Sequence, residues 1–520
     1  KWVKFSGASW TKDGKGFFYS RYAEPKEGNK LAAVNEYHKV YYHRLGTTQA
    51  DDALIYEGTS AEQKGWIFNG QVTEDGRYLI VWGFPGAGSD NRIYYKDLQA
   101  KDAPVVKLLD DAGIAQYFID NDGPIFYFQT DRDASRKRLI AIDTRAPEQK
   151  NWKVIVPEAK ETLDSVSGLV NNLFIASYLK DAHTVVRTYK PDGTFVREIE
   201  LPGIGTAGGF SGKRQDKETF YAFTGYTTPT TIYRHDLNTG QSTIFRQPKV
   251  DFNPADYVTR QVFYTSKDKT RVPMFITHKK SLKLDGSNPT FLYGYGGFDS
   301  AETPYYSTSS LVWMEMGGVF AVANLRGGSE YGKDWHEAGM KLKKQNVFDD
   351  FIAAAEYLID NKYTSTPKLA VGGASNGGLL VGAVITQRPE LFGAALPAVG
   401  VMDMLRFHKF TIGAAWISEY GSPDNPEEFK AIRAYSPLHN LKPGTKYPAT
   451  LITTADHDDR VWPGHSFKFA AAMQAAQAGP APVLIRVETK AGHGAGKPTT
   501  KQIEEAADKW AFLVKELGKN

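Results

Sequence analysis

Residues Gly373-Ala-Ser375-Asn-Gly377 set a serine hydroxyl in a Gly-x-Ser-x-Gly pattern. A short apolar run (368–371) precedes it and a second (379–385) follows. The first has strand length and the second suits a helix, the setting in which such a serine sits on a sharp strand-to-helix turn. That turn strains the serine backbone and leaves no room for neighbouring Cβ atoms, hence the glycines. It also brings the hydroxyl to a helix N-terminus, where unpaired N–H groups can receive an oxyanion. Ser375 is therefore a candidate nucleophile for acyl transfer.

A serine hydroxyl attacks a carbonyl only if a neighbouring base takes its proton, and the base needs a carboxylate to orient it. Both types follow in the chain. The strand-like run 449–455 leads into Asp456-His457-Asp458-Asp459-Arg460, and the run 483–488 leads into Gly492-His493-Gly494. Ser, acid, His is the triad order of α/β-hydrolases, and both loops would sit at strand C-termini, where open α/β sheets build their sites. His493, flanked by glycines, is the candidate base. Spacing does not choose among Asp456, Asp458 and Asp459, any of which could instead cap a turn or pair with Arg460.

These groups need a scaffold, and the chain changes character at about residue 250. Before it, Tyr-, Phe-, Thr- and Val-rich segments alternate with Asp-Gly turns at 13–14, 75–76 and 192–193. Strand centres align at Phe18, Leu79, Phe126, Leu173 and Phe220, with spacings of 61, 47, 47 and 47. A period near 45 residues with several strands each is that of β-propeller blades; about five are expected here, with a β-sandwich as the alternative. After Asp251-Phe-Asn-Pro254, strands alternate with helices. Residues 347–359 and 502–517 carry helical apolar periodicity, and Asp349 and Asp350 are expected in the first turn of their helix, favourable to its dipole. That alternation implies a doubly wound, mainly parallel sheet. The expected domains are thus a propeller over 1–250 and an α/β-hydrolase over 251–520.

The chain has 520 residues, a net charge of +4, 41% hydrophobic and 23% charged residues, and no cysteine. A thiol nucleophile and disulfides are excluded. The small net charge implies no nucleic-acid partner, and no apolar run is long enough to span a membrane. Arg326-Gly-Gly reads as a tight turn. Lys1-Trp-Val-Lys-Phe has neither an initiating Met nor a signal peptide. The chain is read as part of something longer, with any targeting segment upstream. A cytoplasmic or a periplasmic location would each fit.

The sequence resembles the prolyl oligopeptidase family of serine peptidases. The resemblance rests on Gly372–Gly378, Ala455–Val461 and Gly492–Lys497 as three active-site blocks. Leu292–Phe298 resembles the family's oxyanion loop, and Val399–His408 with Ile412–Gly421 its substrate pocket. It implies Asp458 as the acid and His493 as the base. The Tyr295 hydroxyl and the Asn376 N–H are implied as oxyanion donors, and Trp416 as a proline-binding indole. Phe298, Val401, Ile412, Tyr420 and Val461 would line the pocket, and Arg460 would hold a substrate carbonyl. It also implies a seven-bladed propeller over the hydrolase. The blades beyond five would precede Lys1, leaving the ring incomplete in this chain.

The expected activity is that of a monomeric serine endopeptidase. It would cleave short proline-containing peptides after proline, through an acyl-enzyme, with no metal or cofactor. The alternatives are an esterase or lipase on the same fold, a related oligopeptidase with another specificity, and a binding module on an inactive hydrolase.

Overall fold

The computed structural model describes residues 1–25, 34–494 and 496–518. Residues 26–33 of the first half and Ala495 of the histidine block lie outside them. Twenty strands form five four-stranded antiparallel sheets in chain order: β1–β4 (9–57), β5–β8 (67–109), β9–β12 (116–156), β13–β16 (162–199) and β17–β20 (206–246). The aligned positions Phe18, Leu79, Phe126 and Phe220 lie in the second strand of their sheets, and Leu173 immediately before its strand. The wider first spacing falls where a long connection, 22–38, separates β2 from β3.

Local chemistry explains the turns. At Asp75-Gly76, Gly76 has φ of +73° and the Asp75 carboxylate accepts the Arg77 N–H at 3.0 Å, closing the β5–β6 hairpin. Successive sheets then bury alternate side chains against each other. Phe18, Val40, Phe68 and Leu79 join the first to the second. Ile80, Ile93, Phe126 and Ile140 join the second to the third. Further clusters join the third to the fourth and the fourth to the fifth. Each core is small and shared only with a neighbour, as in repeat architectures.

The remaining strands form one open sheet: β21 (Tyr257–Thr265), β22 (Arg271–Lys279), β23 (Thr290–Tyr293), β24 (Val319–Ala323), β25 (Leu369–Ala374), β26 (Ala394–Ala398), β27 (Ala449–Ala455) and β28 (Val483–Glu488). Their order is β21-β22-β24-β23-β25-β26-β27-β28. β21 and β22 are antiparallel and everything from β24 to β28 is parallel. Eight helices intervene or follow: α1 (Thr308–Glu315), α2 (Lys333–Glu337), α3 (Gln345–Asp360), α4 (Asn376–Gln387), α5 (Ile417–Tyr420), α6 (Pro426–Tyr435), α7 (Gly464–Ala476) and α8 (Thr499–Glu516). Among the described residues no helix is long and apolar enough to cross a membrane.

Helix α3 buries Val347, Phe348, Phe351, Ala355 and Leu358, the face its periodicity marks out. The expectation for its aspartates needs correction. The helix begins at Gln345, so Asp349 and Asp350 fall beyond its first turn. Asp350 is wholly buried and bound instead to Arg326 at 2.6 Å, because a carboxylate this deep requires a cation. Arg326-Gly327-Gly328 forms the expected turn, with Gly327 at φ of +92°.

Candidate active site

Parallel strands of one sheet share an edge at which their C-termini meet loops, and the candidate residues gather there. Tyr295 follows β23, Ser375 follows β25, Asp458 follows β27 and His493 follows β28.

Ser375 stands at φ +59° and ψ −116°, a strained conformation for any residue with a side chain, and caps α4. A Cβ at Gly373 would lie 2.4 Å from the Gly377 carbonyl oxygen, and one at Gly377 would lie 2.7 Å from the Gly294 carbonyl oxygen. The glycines are therefore steric necessities of the turn. The Ser375 N–H is tied to the Ala398 carbonyl at 2.9 Å, which pins the elbow to the next strand.

Asp458 is the one of the three aspartates that reaches the candidate base. Its Oδ2 is 2.6 Å from His493 Nδ1, and its Oδ1 accepts the N–H groups of Arg460 and Val461 at 3.0 and 2.9 Å. It is completely buried. Asp456 bonds to the adjacent His457, and Asp459 pairs with Lys4 at 3.0 Å. Among the described residues Ser375 and His493 share no hydrogen bond. Triads without substrate often hold this contact long and tighten it in the Michaelis complex.

The Tyr295 hydroxyl lies beside Ser375, and its pKa is pushed up to about 12 by burial and by the charges of Glu419 and Glu302. It therefore stays protonated near neutral pH and can only donate to a developing oxyanion. The Asn376 N–H, first in α4, has no acceptor within the helix and is a second available donor.

Beside these groups is an apolar wall. Trp416, Tyr420, Val401, Ile412 and Val461 belong to one buried cluster, with Phe298 packed against it. Phe298 meets Tyr420 edge-on at 5.5 Å, and Trp416 lies nearly parallel to Phe407 at 6.4 Å. Arg460 is exposed at the edge of this wall. Among the described residues its guanidinium pairs with neither Asp458 nor Asp459, and its charge is felt at Tyr295.

Other groups at the site were not apparent from sequence. The Asn376 carboxamide donates to the Tyr295 carbonyl at 2.6 Å and accepts from the Tyr420 hydroxyl at 3.0 Å. Glu419 is fully buried and bound by Lys344 and His336. The propeller takes part as well: the Ala87 N–H, between β6 and β7, donates to the Ala415 carbonyl at 3.0 Å, next to Trp416. Of these, the acidic Glu419 inside the apolar block 412–421 carries a sequence signal.

Strained serine, buried aspartate–histidine pair and a protonated phenol on one sheet edge define a serine hydrolase of the α/β class, faced by a β-propeller. Comparison narrows the class. A model of the prolyl oligopeptidase family matches residues 304–520, and a model of that family's N-terminal β-propeller domain matches residues 1–248. A prolyl endopeptidase of Elizabethkingia miricola is 49% identical over 99% of this chain and 72% of its own. One from Elizabethkingia meningoseptica is 48% identical over the same shares. A solved prolyl endopeptidase structure superposes with a TM-score of 0.95 at 43% identity, covering 100% of this chain and 76% of that one. Prolyl oligopeptidase B of Galerina marginata, solved with a macrocyclization substrate, gives 0.94 at 38% identity, covering 100% and 73%. The chain belongs to the prolyl oligopeptidase family of serine peptidases and is a hydrolase.

Proposed function

We propose that this protein is an endopeptidase that cleaves short peptides on the carboxyl side of proline. Ser375 Oγ attacks the prolyl carbonyl carbon while His493 takes its proton. Asp458, bonded to Nδ1, fixes the tautomer that leaves Nε2 free as the base, and stabilises the imidazolium. Tyr295 and the Asn376 N–H donate to the oxyanion. His493 then returns the proton to the leaving amine, and a water activated by the same imidazole hydrolyses the prolyl ester. Every step is acid–base and acyl-transfer chemistry of the chain's own residues.

Specificity rests on the wall. An indole face offers area with little rotamer freedom to lose, and a pyrrolidine ring is flat and apolar. Arg460, without a carboxylate partner among the described residues, is placed to hold a substrate carbonyl. Glu419 adjoins the pocket but is already bound by two basic groups, which disfavours recognition of a cationic side chain. The division into a propeller of residues 1–250 and a catalytic domain of 251–520 is supported by the sheets, which change type between Arg246 and Tyr257. The protein acts as a monomer, without nucleic acid.

The observation that carries this reading is the buried Asp458–His493 pair at 2.6 Å, on the same sheet edge as Ser375 and the tryptophan-containing wall. Matched fluorogenic peptides with proline or alanine before the scissile bond test it, with a short acyl ester as a control. A preference for proline of about 100-fold or more in kcat/KM is expected. Equal rates on the two peptides, or hydrolysis of the ester alone, would overturn the assignment.

A further inference from the structure

Three titratable residues with no part in bond making lie buried behind the loop that carries Tyr295. Lys344, Glu419 and His336 are 1%, 0% and 5% exposed. Lys344 Nζ donates to the Gly296 carbonyl at 2.9 Å and to Glu419 Oε1 at 3.2 Å. His336 Nε2 is 2.8 Å from Glu419 Oε2, and the Phe298 N–H faces the same carboxylate. With the Asn376 carboxamide on the Tyr295 carbonyl, the loop is held at three points within four residues: the carbonyls of 295 and 296 and the amide of 298.

The loop needs such support. Phe298 stands at φ of +57°, which local sterics disfavour for a residue with a side chain. Yet the loop presents the candidate oxyanion donor, Tyr295, and a wall residue, Phe298, three positions apart. Burying an ion pair costs more than an apolar packing of equal volume, so a lysine and a glutamate kept here call for a role that an apolar pair could not fill. Lysine fills it by directing two N–H donors at once, one to loop backbone and one to the carboxylate. Glu419 in turn brings negative charge close to Tyr295, which would oppose an oxyanion if left uncompensated. The two basic partners offset it.

We infer that Lys344, Glu419 and His336 are positioning residues, which hold the 295–298 loop so that the Tyr295 hydroxyl points at the oxyanion. The inference rests on the reading of Tyr295 as an oxyanion donor. A double-mutant cycle separates the two. Tyr295→Phe alone is expected to lower kcat on a prolyl peptide by about 100-fold or more with little change in KM. Lys344→Met is expected to lower kcat about 30-fold with KM within threefold, yet to cost less than about threefold more in the Tyr295→Phe background, because both act through one hydroxyl. Thermal melting and circular dichroism establish that each variant is folded. Lys344→Met/Glu419→Gln leaves no lone buried charge and carries the same cycle if the single variant does not fold. No loss from Tyr295→Phe would remove the oxyanion reading itself. A Tyr295→Phe loss combined with a full, multiplicative Lys344→Met loss would leave that reading intact and overturn the positioning role.

Discussion

The two halves of this chain bury different things. The propeller sheets close small apolar cores, each shared by two neighbours and built from strands adjacent in sequence. The hydrolase sheet encloses one large core and, around it, pairs of acidic and basic groups: Arg326 with Asp350, Lys344 with Glu419, and Asp458 against His493. Apolar burial is cheap and repeatable, so it makes a scaffold. Buried charge is costly and persists where it orients something. The propeller buries charged side chains too, Arg92, Asp120 and Asp131 among them, but the buried groups that orient the candidate catalytic residues lie in the hydrolase half, and the other half covers them.

The sharpest way to break this contrast is at Ser375. Ser375→Ala is expected to lower kcat on a prolyl peptide by about 10^5-fold or more with no loss of thermal stability. A similar loss of kcat from a core substitution confined to the propeller would erase the distinction. At the wall, Trp416→Ala is expected to cost about 100-fold in kcat/KM on a prolyl peptide and much less on a non-prolyl ester. Equal losses on both would make the indole a packing residue only.

The propeller should answer in stability instead. Ile80, fully buried between the second and third sheets, should cost about 3 kcal/mol in urea unfolding when changed to Ala. Its kcat should stay within twofold of wild type at temperatures where it remains folded.

Where the halves meet, Glu330 joins the two behaviours. Its backbone carbonyl accepts from Thr162 of the propeller, and burial of its carboxyl pushes its pKa up to about 7. Glu302 is raised to about the same value, also mainly by burial. A carboxyl whose folded pKa lies above its unfolded one adds stability below about pH 4.5 that is lost as pH rises through 7. Glu330→Gln should therefore raise stability at pH 8 by on the order of 3 kcal/mol and leave it unchanged at pH 4. The remaining slope would belong to Glu302. Melting curves across that range decide it; a variant with the wild-type slope would show that Glu330 titrates normally.

How much was legible in the sequence follows the same division. Blade positions were readable because each repeat meets the same local demands, and Leu173 missed its strand by a single residue. Strands 449–455 and 483–488 were legible to the residue, because turn residues and charges bound them. Ser375 stood out because its glycines are sterically forced. The choice among three neighbouring aspartates was not legible from spacing. It depends on which one faces a histidine 35 positions away and on Lys4 claiming Asp459 from the propeller. Lys344 was equally hidden, since a lone charge carries no periodic signal and it meets Glu419 across 75 residues. Asp350 misled for the same reason, its partner being Arg326, while Asp349 lies beyond the first turn because the helix begins at Gln345.

The most direct test is covalent. A proline-bearing phosphonate should add once per chain, and peptide mapping should place the adduct on Ser375, with labelling abolished in His493→Ala. An adduct on another residue, or robust cleavage after proline by a protein that takes up no phosphonate, would contradict the assignment of nucleophile and base.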